Sequence, residues 1–220
     1  MQTPGPVSAG NRTSSSSVLL PAREALRVAT KDIHDRLHGH MLFRQLLEET
    51  ITRQQYTALL SRLYGFHQGI EIALGAQDTQ HRTLPMGPRR RVHLLAYDLK
   101  TLGQSDNDIS ELPVAKAPPG LDQVGRFLGC LYVREGATLG GRVLAGTLAH
   151  LLGSGLEGRR FFAGTKQDPE LWRACCTALE QPMEMVEREE MITAAQETFE
   201  IFEQWMSVLD VLAPVGVASQ

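Results

Sequence analysis

Cysteine is scarce in this chain and poorly placed for cross-linking. There are three: Cys130 stands alone, and Cys175 and Cys176 are neighbours. No C-x-x-C pair occurs, which excludes a disulfide framework and a zinc knuckle and fits a reducing cytoplasm. Long apolar runs are missing as well. Nothing approaches the ~20 residues a membrane-spanning helix needs, and the N-terminus lacks the basic-then-apolar layout of a signal peptide. Neither sign of charge dominates: the formal net charge is −3, which gives no global electrostatic case for nucleic acid. Basic residues cluster only locally, at Arg89, Arg90 and Arg91 and at Arg159 and Arg160. Glu-x-x-His does not occur, against a di-iron carboxylate bundle. The G-x-S-x-G and P-loop fingerprints are absent too, and Gly153-Ser-Gly-Leu-Glu-Gly158, though it has G-x-G-x-x-G spacing, lacks the preceding strand of a dinucleotide fingerprint.

Strand-like alternation is also missing, and what remains is helical periodicity. Residues 1–20, rich in Ser, Gly and Pro, read as a disordered tail. Residues 22–38 read as an amphipathic helix, with Leu26, Ile33 and Leu37 on one face and Thr30 and His34 beside it. A short helix is expected over 42–49. Thr52 to Gln55 is a capping-box pattern, followed by Tyr56, Leu59, Leu60, Leu63, Ile70 and Leu74 at helical spacing. A loop over 77–88 leads to a helix over 89–102, and 103–120 is a polar connection. A glycine-rich helix is expected over 121–152 and a loop over 153–167. Asp168–Pro169 reads as an N-cap with Pro at the first helical position; that helix runs to about Gln181. The last helix covers 184–211 and 213–220 is a flexible tail. The fold class is therefore all-α, with one multi-helix domain over 21–212.

The glycines carry the first functional signal. Gly125, Gly129, Gly136, Gly140, Gly141 and Gly146 all fall in the same helical stretch, and each costs ~1 kcal/mol against alanine. Two uses of the missing side chains are open: close helix–helix packing, or a flat ligand lying across the helix. Gly136 and Gly140, four apart, share a face. His34 is the second signal. On an apolar helix border it is either a core histidine or an axial ligand to haem iron, its second ring nitrogen held by an acceptor such as the Thr30 carbonyl. His34, His38 and His40 lack a further ligand that would complete a zinc site.

Two segments together resemble the haem oxygenase family, of bacterial type. Leu26-Arg-Val-Ala-Thr-Lys-Asp-Ile-His34 is similar to the family's proximal-helix motif, and Tyr132-Val-Arg-Glu-Gly-Ala-Thr-Leu-Gly-Gly141 to its distal-helix motif. The likeness extends over about 22–206. It implies haem held between the first helix and a kinked glycine-rich helix. His34 takes the place of the axial iron ligand, and Gly136 and Gly140 let the distal helix lie over the ring. Arg27 and Arg173 fall at positions that meet the haem propionates, and Phe199 at an apolar position beside the pocket. Two departures stand out. Ala137 occupies the place of an aspartate that organises distal water in animal members, leaving Arg134, Glu135 or His67 to hold the water. His38 occupies the place of a carboxylate.

The resemblance implies that haem is both substrate and cofactor. It is oxidised by O2 at a meso carbon to biliverdin, with release of carbon monoxide and iron. Electrons must come from an external ferredoxin or reductase, since the chain has no flavin or nicotinamide motif; Arg89–Arg91 is either a solvated basic helix start, the favoured reading, or part of a docking face. A bacteriophytochrome is the implied bilin acceptor. No nucleic acid or membrane partner is expected, and the location is cytoplasmic. The rival readings are a haem carrier or sensor of the same fold, a helical interaction protein, and a non-haem helical enzyme.

Overall fold

The computed structural model describes residues 20–77, 81 and 91–212. The tails 1–19 and 213–220, most of the 77–88 loop, and Arg89 and Arg90 lie outside the described residues. Every regular element among the described residues is a helix, as the periodicity predicts. No helix among them is long and apolar enough to cross a membrane.

The first amphipathic pattern divides at Thr30 into α1 (Ala22–Ala29) and α2 (Lys31–His38). The Thr30 hydroxyl donates to the Leu26 carbonyl at 2.8 Å. Capture of the i−4 carbonyl by a Thr side chain bends a helix, and here the backbone turns to φ −104°, ψ 1°. Leu26, Ile33 and Leu37 stay buried on both sides of the break. α3 (Met41–Leu47) follows. α4 (Arg53–Gly75) starts at the expected capping box of Thr52 and Gln55.

α5 (Val92–Thr101) begins three residues later than expected. α6 (Asp106–Ser110) lies inside the polar connection, started by a Ser105/Asp108 capping box. The glycine-rich helix expected over 121–152 is three pieces: α7 (Val124–Gly136), α8 (Thr138–Thr147) and α9 (Ala149–Leu152). The following loop contains one further helical turn, α10 (Arg160–Ala163), which buries Phe161 and Phe162. α11 (Asp168–Leu179) includes Asp168 rather than being capped by it. The Asp168 carboxylate instead turns back to the Thr165 amide and hydroxyl, at 2.9 and 2.7 Å. α12 (Met185–Ser207) starts at a Glu184/Glu187 capping box and ends in a 3-10 turn, Val208–Leu212.

α7 and α12 form the most extensive helix pair. Gly125 and Gly129 face the α12 backbone so closely that a Cβ on either would overlap the Glu187 or Met191 carbonyl. Around this crossing sits one apolar cluster, including Leu26, Phe66, Leu128, Met191 and Ala195. A second, including Leu42, Tyr56, Leu95, Phe162 and Met206, fills the space between α3, α4, α5 and α10.

Of the basic clusters, Arg91 and Arg159 are buried. Arg91 is 7% exposed and pairs with Asp168 at 3.1 Å, so it offers no charge to a docking partner. Arg159 is buried and donates to the carbonyls of Ala145 and Gly153.

The fold makes different demands on different glycines. Gly129→Ala must push two helices apart and should cost about 2–4 kcal/mol. Gly146→Ala meets nothing within 4 Å and should stabilise by about 0.5–1 kcal/mol. Urea unfolding of the two variants measures the contrast.

Candidate functional site

α2 packs on α3 and α12, whereas α8 packs on α3, α7, α9 and α10. The two helices are joined through α3, which touches each of them, and α8 is joined to α7 and α10 as well. Away from those contacts each helix leaves functional side chains uncovered.

On α2 the uncovered group is His34, whose side chain is 54% exposed. Its ring stands edge-on to Phe199 of α12 at 6.1 Å and to His38 at 4.5 Å. Partial burial, reinforced by His38, lowers its pKa below the ordinary histidine value, so the imidazole is neutral at pH 7 and has a lone pair to give. The Thr30 carbonyl accepts the His34 backbone N–H at 3.0 Å. The Asp35 carboxylate lies 3.9 Å from the ring Nδ1. The expected acceptor is thus committed to the helix itself. No group of three or more His, Cys, Asp or Glu among the described residues could hold a metal ion.

On the other side, the chain breaks at Ala137 between α7 and α8. The glycines here separate into two groups. A Cβ on Gly141 would stand 2.7 Å from the Phe162 carbonyl of α10, so Gly141 serves packing, as Gly125 and Gly129 do. A Cβ on Gly136 would make only ordinary contact with Trp172, at 3.8 Å, and one on Gly140 would meet nothing within 4 Å. Leu139 and Val143, 61% and 63% exposed, extend the same open stripe at helical spacing. The fold does not need Gly136 or Gly140, yet both bear the cost of glycine in a helix.

The arginines stand apart from this centre. Arg27 is exposed and paired with Glu24 at 2.6 Å. Arg173 is exposed and donates to the Pro169 carbonyl at 3.2 Å. Each guanidinium thus spends its hydrogen bonds inside its own helix. Trp172, beside Arg173, lies against Gly136 and is 5.9 Å from the Tyr132 ring. Tyr132 and Trp172 were not among the residues singled out from sequence. Tyr132 precedes Gly136 by four residues and so shares its helix face, a signal that was available.

Behind the open stripe is a buried polar group. Arg134 and Glu135 pair at 2.9 Å with side chains 6% and 1% exposed. His67 of α4 is buried, and its Nδ1 has no hydrogen-bond partner among the described residues. Burial, with the Arg91 and Arg134 charges, pushes its pKa down to about 3. Burial raises the neighbouring Glu71 carboxyl, which accepts the Arg91 backbone N–H.

α8 thus presents an open glycine-bearing face, and α2 an exposed neutral imidazole with the Phe199 ring beside it. Solved structures share the fold. The heme oxygenase of Leptospira interrogans superposes with a TM-score of 0.70 at 16% identity, covering 86% of this chain and 100% of that one. Heme oxygenase-1 of Synechocystis sp. PCC6803, solved in complex with heme, gives 0.70 at 16%, covering 88% and 94%. The NO- and CO-bound heme oxygenase of Neisseria meningitidis gives 0.65 at 21%, covering 92% and 98%. A curated heme oxygenase of Xanthomonas campestris pv. campestris (strain 8004) is 36% identical over 115 residues, 52% of this chain and 66% of that relative, just under two thirds of its length. The model of the Heme oxygenase family matches residues 20–208, and the chain belongs to that family.

Buried neutral His67 makes folding sensitive to acid. Its folded pKa lies below its unfolded value of about 6.5. Its contribution is therefore complete above that pH and falls by about 1.4 kcal/mol per unit below it. Between pH 7 and 5 the wild type should lose about 2 kcal/mol more stability than His67→Gln, measured by urea unfolding at each pH.

Proposed function

We propose that the chain is a haem oxygenase that binds haem between α2 and α8 and cleaves it, with O2 and supplied electrons, to biliverdin, carbon monoxide and iron. The observation that carries this reading is the pair of glycines, Gly136 at the end of α7 and Gly140 on α8, left open by a fold that has no use for them. A planar macrocycle needs a wall without Cβ atoms at van der Waals distance, and the stripe is apolar on either side.

When bound, haem supplies both the ring that is oxidised and the iron at which oxygen is activated. The residues of this chain do the rest. His34 holds the iron through a neutral nitrogen, and Phe199 limits how far its ring can turn. Arg27 and Arg173 hold the propionates, giving up bonds within their own helices for charge-assisted ones. Leu139 and Val143 keep water from the meso edge. With Ala137 at the break, water near the iron falls to the groups behind the wall. The buried Arg134–Glu135 pair is one, and the unpartnered His67 Nδ1 is another, since a buried polar atom of this kind is where an ordered water binds. Electrons come from a ferredoxin or reductase of the cell, and a phytochrome-type apoprotein is the proposed acceptor of the bilin.

The test is to mix the chain with one equivalent of hemin and add a reductant system in air with catalase. Loss of the Soret band with growth of a broad red absorption is the expected result; a Soret complex that persists marks a carrier or sensor instead. Two variants sharpen it. His34→Ala should weaken haem binding at least tenfold, about 1.4 kcal/mol. Gly140→Leu should leave thermal stability equal or higher, since a helix prefers Leu to Gly by about 0.5–1 kcal/mol, while abolishing turnover.

A further inference from the structure

The open face of α8 raises the question of what holds that helix in place. Its support comes largely from α10, a single turn whose Phe162 carbonyl lies against Gly141. One helical turn has too few internal hydrogen bonds to persist alone, so α10 must be held from outside.

Three contacts do so. Asp98 of α5 is fully buried, and its two carboxylate oxygens accept the N–H groups of Arg160 and Phe161 at 2.9 and 2.8 Å. These are the amides at the start of α10, free of helical partners by geometry. Tyr97, the preceding residue, carries the Arg160 guanidinium over its ring at 3.9 Å. The buried Tyr56 hydroxyl donates to the Gly158 carbonyl at 2.7 Å, fixing the chain as it enters α10. Burial pushes the Asp98 carboxyl up to about 6 against the pull of the two amides.

Arg159 completes the bracket. It is 5% exposed and donates to the Ala145 carbonyl, in the last turn of α8, at 2.9 Å. It also donates to the Gly153 carbonyl at the end of α9. A buried cation at the negative ends of two helices binds both of them to α10.

We propose, resting on the haem oxygenase reading above, that Asp98 and Arg159 are positioning residues that act through α10 to set how closely α8 approaches the haem face. Neither touches the cleft. Asp98 keeps α10 formed, and Arg159 pins the end of α8 to it. Without the bracket, α8 is free on its open side and the gap above the ring widens.

Asp98→Asn keeps one acceptor oxygen, and Arg159→Met keeps the aliphatic stem. Asp108→Asn, in the capping box of α6, controls for general destabilisation. In the haem-free chain, amide exchange over 140–147 should quicken about tenfold or more in both bracket variants and stay unchanged in Asp108→Asn. In the ferric haem-loaded chain, the affinity for 4-phenylimidazole relative to azide should rise about tenfold in both, because the bulky ligand benefits most from a wider gap. Haem affinity, set on α2, should stay within about threefold.

Unchanged exchange over 140–147, or an unchanged ligand ratio in chains that have lost stability, would overturn the proposal and leave the bracket merely structural. Should Asp98→Asn fail to fold, Arg159→Met decides alone. A wild type that takes up no haem would overturn the functional reading, and the exchange measurement would still decide whether the bracket holds α8.

Discussion

The close crossing of α7 and α12 is the constraint on which the rest depends. Gly125 and Gly129 bring the two backbones into contact, and that contact sets both sides of the cleft. α12 carries Phe199 to the edge of the His34 ring. α7 carries Gly136 to the break from which α8 departs. Were the helices separated by the width of ordinary side chains, Phe199 and Gly136 would both be displaced. A close-packed interior transmits such a shift because it has few voids to absorb it.

The glycine-rich segment divides within one stretch, and close packing accounts for only part of it. Gly125, Gly129 and Gly141 are needed by neighbouring backbones, while Gly136 and Gly140 are not needed by any protein neighbour. The cost of the second pair is a weak α8 with exposed Leu139 and Val143. The structure offsets this from behind, with buried polar groups that make few contacts with water. Such groups favour one arrangement over others more than they add net stability, which suits a wall that must stand at a set distance.

Much of the fold was legible because helical periodicity and capping chemistry are local. The capping box at Thr52, the all-helical class and the long final helix follow from spacing alone. What was not legible depended on partners distant in sequence. The break at Thr30 needs the side chain to choose the Leu26 carbonyl. Asp168 reads as a cap until Thr165 and Arg91 claim its carboxylate. Arg91 reads as surface charge until that same carboxylate pairs with it, and α10 is capped by Asp98, some sixty residues earlier. In the site, His34 is found beside Phe199, and Trp172, beside Arg173, is found at Gly136. Arg27 and Arg173 are found bonded within their own helices, so their part in holding propionates rests on rearrangement when haem binds.

The most direct measurement is the crystal structure of the chain with hemin bound. The account predicts the iron bonded to the His34 Nε2, the ring lying against Gly136 and Gly140, and the propionates toward Arg27 and Arg173. Iron held by His38, whose ring lies one turn further along α2, or a macrocycle seated away from α8, would contradict it.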